Sequence, residues 1–185
     1  MQTRNTIDAY GWVSISLHWV MALLLIALYF VGDYMVELTY YDPLYHTLPY
    51  WHKSIGIALG FALLFRLVWN FSNPKPATIQ GAPAFTHTLA KLGHLALYGL
   101  LLVLIISGYL ISTAKGKGIE VFGLFELPAL LASNEQRGEM AGEVHEIAAS
   151  LFMLLVAVHA LAAIFHHVYW KDNTLTRMLG RSSKA

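Results

Sequence analysis

Four stretches of this chain, residues 12–32, 51–69, 92–113 and 144–170, are each long and apolar enough to cross a bilayer. The hydrocarbon core of a membrane takes a helix of about 20 residues, and among these stretches only Lys53, Arg66 and Glu146 carry full charges. Ordinary soluble domains hold about 25% charged residues; this chain holds 12%, with 57% hydrophobic residues, so its solvent over most of the surface is lipid. The stretches are built from Leu, Ala, Ile, Phe and Val without strict alternation, which predicts helices and not barrel strands. The expected fold is therefore an all-α integral membrane protein. It is a single membrane domain over residues 1–185, a four-transmembrane-helix bundle with an external loop at 114–143.

Lysine and arginine set the expected orientation. The N-terminal segment, the 66–91 connection and the tail hold Arg4, Arg66, Lys75, Lys91, Lys171, Arg177, Arg181 and Lys184, whereas the opposite side holds only Lys53, Lys115, Lys117 and Arg137. The positive-inside rule then puts both termini in the cytoplasm. The first apolar run is too long for a signal peptide and no small-residue cleavage site follows it, so it is expected to stay as a span. Within the 114–143 loop, the apolar stretch "IEVFGLFELPALLA" is suited to lie in the interface or to cap the helices.

Cysteine is absent, which excludes disulfides, iron–sulfur clusters, thiolate-ligated haem and covalent c-type haem. A net charge of +1 gives no reason to expect nucleic acid as a partner.

Ionisable residues inside a membrane are costly and mark function, and the last stretch carries four histidines, His145, His159, His166 and His167. His145 and His159 are 14 residues apart, which on a helix turns them about 40° from each other and separates them by about 21 Å along the axis. Each has a partner at matching depth on another stretch: His52 for His145 on the external side, His18 for His159 on the cytoplasmic side. Facing imidazoles across a helical bundle are what a bis-histidine haem requires. Two such pairs predict two non-covalent b-type haems with His18, His52, His145 and His159 as axial iron ligands. Zinc would instead need three or four ligands at one depth. Gly56, Gly60, Ala148, Ala149, Ala160, Ala162 and Ala163 leave gaps for a flat macrocycle or for close helix packing. His94 and His166, near the cytoplasmic ends, are candidates for quinone or haem propionates. Arg66 and Lys91 are placed to neutralise propionates or to act as snorkelling anchors. His46, His87 and His167 read as surface or headgroup residues.

The segments "ISLHW" at 15–19, "YWHKSIGI" at 50–57, "LGHL" at 92–95, "FGL" at 122–124 and "VHEIAASLFMLLVAVHALAAIFHHVYWKDNTLTRM" at 144–178 resemble the bacterial cytochrome b561 family. The likeness covers nearly the whole chain and is most specific in the last span. It implies an inner-membrane, multi-pass electron carrier with two b haems, held by the pairs His18/His159 and His52/His145. Its superoxide oxidase type further implies superoxide as donor and ubiquinone as acceptor. Lys53, Lys115 and Lys117 are then candidates for guiding the anion. Against this, the external segments hold four basic residues and eight acidic ones, Asp33, Glu37, Asp42, Glu120, Glu126, Glu135, Glu139 and Glu143. The alternative is a haem b subunit that passes electrons between a partner redox protein and the quinone pool. A histidine-lined proton path without haem is the non-redox competitor, and it predicts a colourless protein.

Overall fold

The structure, a computed structural model, describes residues 2–77 and 83–180. Arg181 and Lys184, two of the basic residues that set the expected orientation, lie outside them. Four long helices dominate: α1 (Trp12–Val36), α2 (Thr47–Phe71), α3 (Ala84–Thr113) and α4 (Glu135–Val168). Each is long and apolar enough to span a membrane. Two short strands, β1 (Ile119–Val121) and β2 (Phe125–Leu127), form an antiparallel hairpin, and a five-residue helix, α5 (Thr174–Met178), follows α4.

Leu23, Phe30, Phe61, Leu64, Leu102 and Leu161 all face outward, a surface that only lipid satisfies. Helices cross such a medium because they close their backbone hydrogen bonds internally.

Each span begins or ends beyond the boundary that hydropathy marks, although α4 stops at Val168, short of the expected 170, and the expected loop 114–143 is shorter than its sequence suggests. Residues 135–143, "EQRGEMAGE", are too polar to read as a span, yet they form the first turns of α4. Asn134 caps them, its side-chain oxygen accepting from the Arg137 amide at 2.9 Å, and Glu135 sits in the first turn against the positive helix end. At 34 residues α4 is about 51 Å long, well beyond the roughly 30 Å hydrocarbon core.

The chain forms two compact units. The first comprises the residues through Ala22, then Ala62–Leu97, then those from Leu154 onward. Its N-terminal segment folds across the start of α1. The Asn5 side-chain oxygen accepts from the Gly11 amide (2.9 Å) and from the Ser14 hydroxyl (2.7 Å), and Ser14 accepts from the Trp69 indole (3.1 Å). A side chain at Gly11 would overlap the Thr3 carbonyl, so glycine permits this close crossing.

The second unit is Leu23–Phe61 with Tyr98–Met153. Here the hairpin that the apolar stretch forms is fixed to α2 by Ser54, which is fully buried. Its hydroxyl donates to the Glu120 carbonyl (3.4 Å) and accepts from the Phe122 amide (3.2 Å). The side chains of Ile119 and Val121 turn inward. Phe122 and Gly123 take positive φ at the tip. Tyr109 ties the following loop to α3, donating to the Pro128 carbonyl and accepting from the Leu130 amide, both at 2.8 Å. Ser54→Ala strands two backbone groups of the hairpin and is expected to cost about 1–3 kcal/mol locally. Hydrogen exchange at Phe122 would be the measurement, faster in the variant and unchanged in the spans.

Candidate functional site

The second unit brings His52 of α2 and His145 of α4 face to face, their ring centres 6.3 Å apart. Each imidazole is backed by a glycine. A Cβ added at Gly32 would lie 3.2 Å from Cε1 of His52, and one at Gly108 would lie 3.3 Å from Cε1 of His145. Apart from its chain neighbours and the adjoining backbone of α2, no atom of the described residues lies within 4 Å of where a Cβ would stand at Gly56, one turn along α2 from His52. The Nδ1 of His52 is buried without a hydrogen-bond partner. His145 is held differently, its Nδ1 being 2.9 Å from the Ser107 hydroxyl.

The first unit brings His18 of α1 and His159 of α4 together, ring centres 6.2 Å apart. His94 joins them, 5.2 Å from His159. Its Nδ1 lies 2.6 Å from the Ala90 carbonyl, which can only accept, so the hydrogen is on Nδ1 and the lone pair on Nε2. Arg66 points at the cluster and donates from a guanidinium nitrogen to Nδ1 of His18 at 3.2 Å. Lys91 is exposed and outside this cluster.

His166 lies apart from both pairs. Its Nδ1 is bonded to the Asp172 carboxylate at 2.5 Å, and its ring packs on Trp170, centres 4.5 Å apart. Burial pushes the Asp172 carboxyl up, but hydrogen bonds from His166 and Thr174 outweigh it and hold the group below the usual carboxylate range. Lys53 follows His52 on α2, and Lys115 and Lys117 lie in the turn before β1; all three are exposed. His46 and His167 are exposed and His87 is half-buried.

Ser107 and Asp172 are contacts that the sequence analysis did not single out. Ser107 is the one aliphatic hydroxyl in the apolar run "VLIISGYL", and Asp172 is the acidic residue next after the span that carries His166. For Ser107 the available signal was an aliphatic hydroxyl among apolar side chains; Asp172, in the polar stretch "KDNT", offered none beyond its nearness to His166.

The two pairs suit a cofactor that brings its own equatorial ligands. Among the described residues, no group of three or more His, Asp or Glu side chains converges to hold a metal by itself. A metal about 2 Å from each imidazole nitrogen, with each ring centre about 1 Å further, would separate two opposed ring centres by about 6 Å. Both pairs have that separation.

Residues 9–181 match the prokaryotic cytochrome b561 family. The chain is 44% identical to cytochrome b561 homolog 2 of Escherichia coli (strain K12) over 183 residues, covering 99% of this chain and 97% of that one. It is 29% identical to the probable superoxide oxidase CybB of Yersinia pestis, over 92% and 95% of the two lengths. It is also 29% identical to cytochrome b561 homolog 1 of Escherichia coli (strain K12), over 94% and 98%. With four membrane-spanning helices and histidines facing one another within them, the chain belongs to the prokaryotic cytochrome b561 family, b-haem electron-transfer proteins of the bacterial inner membrane.

Proposed function

We propose that this protein is a superoxide:ubiquinone oxidoreductase, which carries electrons from periplasmic superoxide through two b-type haems to ubiquinone. In balance, two superoxide anions are oxidised to two O2, and one quinone takes both electrons with two protons to become quinol. The observation that carries the reading is the two opposed imidazole pairs, His52/His145 and His18/His159, at 6.3 and 6.2 Å. By the lysine and arginine distribution the first pair is outer and the second inner, with both termini cytoplasmic and residues 1–185 acting as one membrane domain.

Bound between each pair, haem iron supplies the one-electron chemistry, while the protein supplies ligation, position and a low dielectric. At the outer site, Gly32 and Gly108 leave the rings room, and the hairpin held by Ser54 covers the end of α2. At the inner site, ligation through Nε2 of His18 requires Arg66 to leave Nδ1, and its guanidinium is then a candidate partner for a propionate. His94, beside His159 with an available lone pair, is a candidate hydrogen-bond partner for a protonated quinone oxygen. The His166–Asp172 pair is a candidate source of its proton, since the ionised carboxylate orients the imidazole. The exposed amines of Lys53, Lys115 and Lys117 offer positive charge to an approaching anion. A relative's name, probable superoxide oxidase, supports this donor.

A second reading, a haem b subunit fed by a partner redox protein, draws support from one observation. Leu124 at the hairpin tip and Leu130 beyond it are 80% and 78% exposed, an apolar surface of the kind that a partner or the membrane interface covers. Purified protein exposed to a superoxide source and a water-soluble ubiquinone separates the two readings. The proposal expects haem reduction and quinone-dependent turnover without any other protein. Haems that dithionite reduces but superoxide does not would favour the partner-fed subunit.

A further inference from the structure

Ser107 is 3% exposed in the apolar C-terminal third of α3, and its oxygen has three polar neighbours. The Val103 carbonyl is at 2.7 Å, the Leu104 carbonyl at 3.2 Å and Nδ1 of His145 at 2.9 Å. A hydroxyl has one hydrogen and two lone pairs. Two oxygens at 2.7 Å with no hydrogen between them repel, so the hydrogen lies toward Val103, with Leu104 as the weaker, shared acceptor. The Ser107 oxygen is then an acceptor toward His145, which donates its Nδ1–H and shares it with the Leu104 carbonyl. That leaves the lone pair of His145 on Nε2, the form in which imidazole binds a metal.

The neighbouring residue supports the same placement. Gly108 lies against Cε1 of the same ring, so two consecutive residues of α3 fix where the His145 imidazole stands. Across the pair, His52 has no such bond at Nδ1. The hydrogen bond therefore acts on one ligand of one pair.

We infer that Ser107 is a positioning residue for His145, holding the imidazole in its metal-binding tautomer and making it a stronger donor to the outer haem iron. An acceptor on the remote N–H of a ligating histidine raises its basicity, which favours the ferric state and lowers that haem's reduction potential. The inference rests on His52 and His145 being haem ligands.

Ser107→Thr and Ser107→Val test it, because the two side chains share a shape and differ by the hydroxyl. Each haem-loaded protein is titrated potentiometrically by visible absorbance, with the outer haem identified as the one lost in His145→Ala. The expected result is a raised outer-haem potential in Ser107→Val, a wild-type potential in Ser107→Thr and an unmoved inner haem in both. Loss of the outer haem from the Val variant with retention in the Thr variant supports the same role. Should the branched pair not fold, Ser107→Ala is expected to give the same rise. Both haems present, with Val or Ala matching wild type, or with Val and Thr shifted alike, would overturn the role of Ser107 alone. A wild-type protein without an outer bis-histidine haem would overturn the ligand reading and this inference together.

Discussion

Replacing His145 with alanine is expected to remove the outer haem and leave the inner one, and His159→Ala the reverse, so each variant retains about one haem per chain. Among the described residues, no third imidazole contacts the outer pair as His94 contacts the inner one. Around His145 the polar neighbours are the Leu104 carbonyl, a main-chain group and not a ligand side chain, and Ser107, whose hydrogen is directed to the Val103 carbonyl. At the inner pair the substitution is a sharper test, because His94 stands 5.2 Å from His159 with its Nε2 lone pair available. His94 is set on α3 by its bond to Ala90 and not by an opposed partner, so it is not expected to rescue the haem. Pyridine haemochrome analysis of the purified variants is the measurement, with far-ultraviolet circular dichroism to show that the helices persist. Retention of both haems in either variant would defeat the pairing.

Gly108→Val is expected to expel the outer haem or weaken its retention while the inner haem stays. Even a Cβ at this position lies 3.3 Å from the His145 ring, closer than ordinary van der Waals contact, and a branched side chain adds more. Overpacking a filled site costs about 1–3 kcal/mol, which corresponds to roughly 5- to 150-fold in haem affinity. The ring is held between α3 and the space shared with His52, so it has to tilt off the line joining the two imidazoles. Gly32→Val attacks the other ring at 3.2 Å from Cε1 and is expected to have the same selective effect. Haem loss rates to an acceptor apoprotein report the change. Equal loss of both haems would mean that these glycines matter for the fold and not for one site.

The four spans are legible because lipid imposes the same requirement on every residue of a helix, and an uninterrupted apolar run such as 92–113 has no other use. The 14-residue step from His145 to His159 is legible for a similar reason, since helical periodicity converts spacing directly into direction and depth. Helix ends were less so. Residues 135–143 are polar, and their helicity comes from the Asn134 cap and from propagation along a chain already helical, neither of which hydropathy registers. The hairpin at 119–127 depends on Ser54, 66 and 68 residues away from the groups it binds, and its apolar residues carry no strand-length pattern. Arg66 shows a different limit: an interfacial position suggests an anchor or a propionate partner, but a flexible guanidinium reaches acceptors that hydropathy does not register, among them Nδ1 of His18. Ser107 was hidden because a serine in an apolar helix ordinarily satisfies itself on the preceding turn; only the approach of His145 gives it a further use.

The most direct test is to count haem per polypeptide in detergent-purified protein, from a dithionite-reduced minus oxidised spectrum calibrated by pyridine haemochrome. Two b-type haems per chain, both low-spin, is the result that two opposed imidazole pairs require. A protein that binds none, or one that stays at a single haem when supplied with excess, would contradict it.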